Sequence, residues 1–179
     1  MKHDVLIVED EDDIRDMIAG ILADEGYETR QAGSSDDALS LINARVPSLI
    51  ILDVWLKGSS MDGIELLERV KVDHQDLPII IISGHGTVET AVAAIRKGAF
   101  DYIVKPFKAE KLIVTATRAL ENARLKRENR ELKGRSPTED KLVGNSALVT
   151  RLRSKISRVA PTNSTVSYTH LTLPTTPYV

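Results

Sequence analysis

The chain has 179 residues, 42% hydrophobic and 28% charged, which is enough apolar material for one packed domain with an appendage and argues against wholesale disorder. It has no cysteine, which excludes disulfides and thiolate metal sites and points to a reducing, cytoplasmic setting. The net charge of -2 hides opposed parts: residues 1–107 hold 10 Lys and Arg against 20 Asp and Glu, whereas residues 108–179 hold 14 against 6.

An acidic first part suits a divalent cation or a basic partner surface. The basic second part lacks interleaved aromatics and any complete DNA-reading motif, so its charge reads as a solvated helix face. The apolar run after Met1-Lys2-His3-Asp4 is too short for a signal-peptide core, and no apolar stretch approaches membrane-spanning length, so no membrane partner is expected.

In chain order, apolar runs alternate with amphipathic stretches. Strands are expected at 4–9, 27–32, 48–53, 78–83 and 100–104, with helices near 11–25, 35–45, 62–73 and 87–97. The first strand, Val5-Leu6-Ile7-Val8, ends on Glu9 and Asp10. The third, Ser48-Leu49-Ile50-Ile51-Leu52, stops abruptly at Asp53. The runs 48–52 and 79–82 are almost continuously apolar, as parallel strands buried on both faces require. Gly26 and Gly98 stand just past the first and fourth helices, where helices commonly stop. Five βα units of this length predict an α/β fold, a doubly wound parallel sheet, whose ligands sit beyond the carboxyl ends of the strands. Glu9, Asp10, Asp53, Ser83 and Lys105 all fall at those ends.

A last helix is expected to begin near Ala109 and run unusually far, through Leu132-Lys133. Leu125 and Leu132 are seven residues apart with Asn129 between them, a spacing that fits either a short coiled-coil seam or a solvated linker. Gly134-Arg135-Ser136-Pro137-Thr138 marks a boundary. A short amphipathic helix follows, carrying Leu148, Leu152, Ile156 and Val159. The Thr- and Pro-rich end, 167–179, reads as a disordered or foreign tail. The expected organisation is a domain at 1–120, a linker helix and boundary at 121–138, a stub at 139–166 and the tail.

The strand ends suggest a chemistry. A carboxylate is a poor nucleophile toward a phosphorylated donor because like charges repel, and a hard divalent cation on oxygen ligands removes that obstacle. Asp10 and Asp53 would supply direct oxygens, the Trp55 backbone carbonyl a third, and Glu9 would act through a metal-bound water. Mg2+ suits such a site because it keeps several waters. Lys105 would pair with one phosphoryl oxygen and Ser83 would hydrogen-bond another. A cis Lys105-Pro106 bond would turn the lysine back into the site, a point the sequence leaves open. Taken singly, each feature has a plainer reading. Glu9-Asp10-Glu11-Asp12-Asp13 is an acidic helix start favoured by the dipole, Asp53 and Ser83-Gly84 are turn residues, Lys105 is a surface lysine and Tyr102 is half-buried core. Together, at the ends of strands in this order, they are poorly explained by chance.

Val8-Glu9-Asp10, Leu52-Asp53, Ile82-Ser83-Gly84 and Val104-Lys105-Pro106-Phe107 resemble the signature of two-component response-regulator receiver domains. The resemblance covers about residues 4–120 and narrows to the nitrogen-regulation, sigma-54-activator type. It implies a flavodoxin-like (βα)5 fold with strand order 2-1-3-4-5 and Mg2+-dependent phosphoryl transfer from a sensor histidine kinase to Asp53. By the same match Glu9 and Asp10 form the metal-binding acidic pair, Ser83 is the hydroxyl switch and Lys105 pairs with the phosphoryl group. Tyr102 matches the aromatic that turns inward when that hydroxyl engages. Such switching would act on residues 84–133 and on homodimerisation through them.

Three departures stand out. The loop from Asp53 to Gly63 is two residues longer than in common receivers and lacks a proline at 57. Glu9 replaces the commoner aspartate. Residues 142–166 are similar to the opening of a sigma-54-activator AAA+ domain, yet the chain has no G-x-x-x-x-G-K-[ST] loop and no helix-turn-helix. ATPase activity is therefore not expected of this chain, and DNA and sigma-54 RNA polymerase would be reached only through domains it lacks. The residues leave two other classes open. In an aspartyl-phosphate phosphohydrolase, Asp10 would be nucleophile and Asp12 acid/base, although Ile14 stands where Thr or Val is expected and Asp53 is unexplained. The other is a dimerisation module built on the 109–133 helix.

Overall fold

The computed structural model describes residues 3–84, 87–134, 146–147, 149–152 and 154. Five strands, β1 (Asp4–Val8), β2 (Glu28–Ala32), β3 (Leu49–Asp53), β4 (Ile79–Ser83) and β5 (Asp101–Val104), alternate with α1 (Asp12–Asp24), α2 (Ser35–Ala44), α3 (Gly63–Asp73), α4 (Val88–Arg96) and α5 (Ala109–Gly134). All strand pairs are parallel, in the order β2-β1-β3-β4-β5. This is the expected doubly wound sheet.

Its two faces are written in the strands by period two. Leu6, Val8, Ile50, Leu52, Ile79 and Ile81 point to one side, where they pack with Ala38 and Ile42 of α2, Leu66, Leu67 and Val70 of α3, and Ala94 of α4. Val5, Ile7, Leu49, Ile51, Ile80 and Ile82 point to the other, against Ile18 and Leu22 of α1 and Leu112, Ala116 and Ala119 of α5. Each large aliphatic side chain so buried contributes about 1.5–3 kcal/mol of transfer free energy. The edge strand β2, Glu-Thr-Arg-Gln-Ala, has only Ala32 fully buried. Its charge protects an open edge, and Arg30 ties it to β1 through Asp4 Oδ2 at 2.7 Å.

The elements end within a residue or two of the expected limits, and the differences are physical. β1 stops at Val8, although Glu9 N still bonds to Ala32 O as the chain leaves the strand. Thr87 is the cap of α4 rather than its first residue, accepting from Thr90 N. Gly26 and Gly98 have φ of 83° and 101°, left-handed values that glycine adopts without strain. α5 continues through Gly134, one residue past the expected end. Its apolar stripe closes at Leu120, and Leu125 and Leu132 are 54% and 66% exposed, a placement that a coiled-coil seam and a solvated linker both require.

Met1–Leu132 and Lys133–Val179 form separate compact units. In the second, a helical turn brings Thr150 N to Ser146 O at 3.0 Å, and Leu152 is exposed. The helix expected there also involves Leu148, Ile156 and Val159, which lie outside the described residues, as do residues 135–138 of the expected boundary, residues 139–145 of the stub and the tail.

Candidate functional site

Register decides what meets at the carboxyl edge of the sheet. Val8 pairs with Leu52, Asp53 with Ile82 and Ser83 with Val104, so the residues leaving β1, β3, β4 and β5 surround one crevice. Glu9, Asp10 and Asp53 each place a carboxylate oxygen within 4.8 Å of the others. Glu9 is 1% exposed and Asp53 5%, while Asp10 is half-buried. Lys105 lies across the pair, its Nζ 2.6 Å from Glu9 Oε2 and 2.8 Å from Asp53 Oδ2. The Lys105-Pro106 peptide is cis.

The charges do not balance without help. Three carboxylates face one ammonium, leaving an excess of about two negative charges if all are ionised. The strain falls on Glu9: burial pushes its carboxyl up to about 7, the hydrogen bond from Lys105 opposes this, and the negative charge of Asp53 adds to it. Burial alone would lower Lys105, but its hydrogen bonds to Asp53 and Glu9 outweigh that and hold it above its ordinary value. An all-oxygen donor set with about that excess matches a hard divalent cation such as Mg2+.

Ser83 is fully buried at the end of β4, and its carbonyl accepts from Lys105 N at 2.8 Å. Gly84 follows it, while His85 and Gly86 lie outside the described residues. Tyr102 is 9% exposed and belongs to the core facing α2, α3 and α4, with a buried hydroxyl that has no hydrogen-bond partner. It is thus more deeply buried than the half-buried position expected of it alone. Trp55 lies in the loop after β3; its N–H donates to Asp53 Oδ1 at 3.3 Å, and the residue is 58% exposed. Asp12 is 80% exposed at its side chain and is paired with Arg15; it is not among the carboxylates that converge.

Two sets of supporting residues escaped the sequence reading. Arg15, on the first turn of α1, donates from Nη1 to the Glu9 carbonyl at 2.7 Å and from Nε to Gln31 at 3.2 Å, which fixes the β1–α1 turn that carries the acidic pair. A basic residue on the first turn after an acidic run is the only linear signal for it. The second set joins the β3–α3 loop to α2. Ser35 N donates to Ser59 Oγ at 3.2 Å, and Met61 N donates to Ser35 Oγ at 3.3 Å. Ser35 Oγ lies 3.3 Å from Ser60 Oγ, which donates to Asp36 Oδ1 at 2.8 Å. Nothing in the linear sequence pairs two serines 25 residues apart.

Residues 5–117 match the family described as the response regulator receiver domain. The chain is 53% identical over 166 residues to the nitrogen assimilation regulatory protein NtrX of Azorhizobium caulinodans, covering 93% of this chain and 36% of that protein. It is 33% identical over 162 residues to the C4-dicarboxylate transport transcriptional regulatory protein DctD of Rhizobium meliloti, covering 89% and 35%. The crystal structure of NtrX from Brucella abortus superposes with a TM-score of 0.74 at 55% identity, over 92% of this chain and 36% of that one. The receiver domain of the same protein superposes at 0.64 and 59% identity, over 66% and 98%. The chain spans about a third of the length of the curated relatives it matches.

Proposed function

The chain belongs to the response regulator receiver domain family of two-component systems, and from that premise we propose that Asp53 is its phosphoacceptor, working with Mg2+ held by Glu9, Asp10, Asp53 and the Trp55 carbonyl. The observation that carries this reading is the lysine bridge: Lys105 Nζ contacts Asp53 and Glu9 at once inside a buried acidic crevice. Asp53 Oδ attacks phosphorus, the bond from phosphorus to the donor imidazole nitrogen breaks, and the nitrogen keeps the electron pair. The attack needs an ionised carboxylate, and the Lys105 ammonium lies directly beside the one on Asp53. As the phosphoryl group arrives, Lys105 turns from the carboxylates to one of its oxygens, and the Ser83 hydroxyl hydrogen-bonds another. Mg2+, when bound, neutralises charge on both nucleophile and phosphoryl oxygens. Tyr102, buried on β5 with a hydroxyl that has no hydrogen-bond partner, is proposed as the aromatic half of the switch.

The donor is a histidine kinase, in the finer reading one of the NtrY type, given the likeness to NtrX. The readout is homodimerisation through residues 84–133. It is supported by exposed Val88, Val92 and Ile95 at helical spacing on α4, with Val104 on β5 and Val114 on α5. Control of transcription is proposed from the likeness to relatives named as transcriptional regulatory proteins.

Incubation with Mg2+ and acetyl phosphate, followed by mapping of the acyl phosphate, tests the site. We expect label on Asp53 and none in Asp53→Asn. Label on Asp10 with multiple turnover would favour the phosphohydrolase, and absence of label from both acetyl phosphate and a histidine-kinase donor would favour the dimerisation module.

A further inference from the structure

The β3–α3 loop, residues 54–62, carries backbone next to Asp53 yet belongs to no regular element. Its base is closed by Gly63 N donating to Val54 O at 2.9 Å, and Val54 and Leu56 are buried in the core. Between them Trp55 is exposed, so its indole does not hold the loop. The far side is held by α2. Ser35 is fully buried, and its hydroxyl accepts from Met61 N. That leaves its own proton for Ser60 Oγ, which in turn donates to Asp36. Ser35 N–H, an unsatisfied donor of the helix N-terminus, is taken by Ser59 of the loop. The separate cap of α2 is Ser34, which accepts from Asp37 N at 3.1 Å. Capping the helix and clasping the loop are therefore divided between adjacent serines.

We propose that Ser35 is a positioning residue for the acidic site: from the first turn of α2 it holds the 54–62 loop, and with it the Trp55 backbone, in the arrangement that receives the cation and the phosphoryl group. The assignment rests on Asp53 as the Mg2+-dependent phosphoacceptor. A backbone oxygen binds a cation well only when its loop is held before the ion arrives, since otherwise ordering the loop opposes binding. A buried hydroxyl with both donor and acceptor functions engaged supplies that restraint without touching the ion.

The chain contains one tryptophan, so a Mg2+ titration of the whole chain can be followed by Trp55 fluorescence and by calorimetry. Ser35→Ala is expected to weaken Mg2+ about tenfold, as loss of an outer-shell support does elsewhere. Its acetyl phosphate labelling should be slow at subsaturating Mg2+ and recover at saturation, a split that general destabilisation does not produce. Ser60→Ala, on the exposed side of the clasp, should shift Mg2+ affinity in the same direction without risk to folding. Ser34→Ala removes the cap and the bond from Ser34 to the Asp37 carboxylate but none of the bonds to the loop; it should lower the melting temperature and leave Mg2+ affinity unchanged. The clasp is overturned if Asp53 is labelled normally while Ser35→Ala and Ser60→Ala stay within about twofold of the unaltered chain, or if Ser34→Ala weakens Mg2+ equally. If the unaltered chain neither binds Mg2+ nor labels Asp53, the phosphoacceptor reading and the clasp fall together.

Discussion

Glu9 sits 1% exposed beside the carboxylate of Asp53 and the Lys105 ammonium that bridges the two, and its titration follows from its burial and those neighbours. Burial chiefly, with Asp53 in addition, raises it from 4.5 to about 7 in the folded protein. The folded chain therefore holds a proton over that interval that the unfolded chain has released. Its contribution to stability is fully present below 4.5 and lost as the pH rises through about 7. Lys105 is shifted upward from 10.5, so it stays charged across this window and adds no slope there. In metal-free protein the melting temperature should therefore fall as the pH rises from 4.5 to about 7 and level off above that, and Glu9→Gln should flatten that fall. Thermal melts in a chelator would reject this assignment if both proteins showed the same slope. The residue types of the site are legible in the sequence because chemistry at a strand end needs charge where the apolar run stops. Burial of Glu9 is not legible: an acid in Glu9-Asp10-Glu11-Asp12-Asp13 looks like its neighbours until the fold encloses one and leaves Asp12 in solvent.

The junction between β3 and α3 shows how an element boundary serves the site. Asp62 and Glu65 form a capping box that starts α3, and Gly63 lies directly under the backbone that carries Asp53. A Cβ at Gly63 would come 1.9 Å from the Asp53 carbonyl oxygen and 2.9 Å from Val54 Cα, too close for either to remain in place. Gly63→Ala should therefore destabilise the domain by more than about 3 kcal/mol, measured by urea denaturation, and should impair labelling of Asp53. A change under about 1 kcal/mol would show that the junction relaxes freely. Sequence placed this glycine at a helix start. That it is required because two backbones meet is a fact of packing, invisible in a chain where Asp53 and Gly63 are simply ten residues apart.

Across the whole molecule, two apolar cores flank the sheet and the acidic crevice crosses its carboxyl edge, while α4, β5 and α5 leave valines and an isoleucine in solvent. Ile95 is 46% exposed, so Ile95→Glu should fold normally. Sedimentation of the phosphorylated chain is expected to show a dimer that Ile95→Glu fails to form; dimerisation of that variant would move the interface elsewhere. Among the described residues no helix is long and apolar enough to cross a membrane. The two-sided parallel sheet and the placing of Glu9, Asp10, Asp53 and Lys105 at strand ends were determined by sequence alone, because periods of two and 3.6 and continuously apolar runs mark buried parallel strands; the strand order came from the resemblance to receiver domains. The tertiary structure alone decided the depth of Glu9, the reach of Arg15 to the Glu9 carbonyl and the clasp from Ser35 to the loop beyond Asp53. Those depend on which atoms come within about 3 Å of one another in space, and neighbours along the chain carry no record of that.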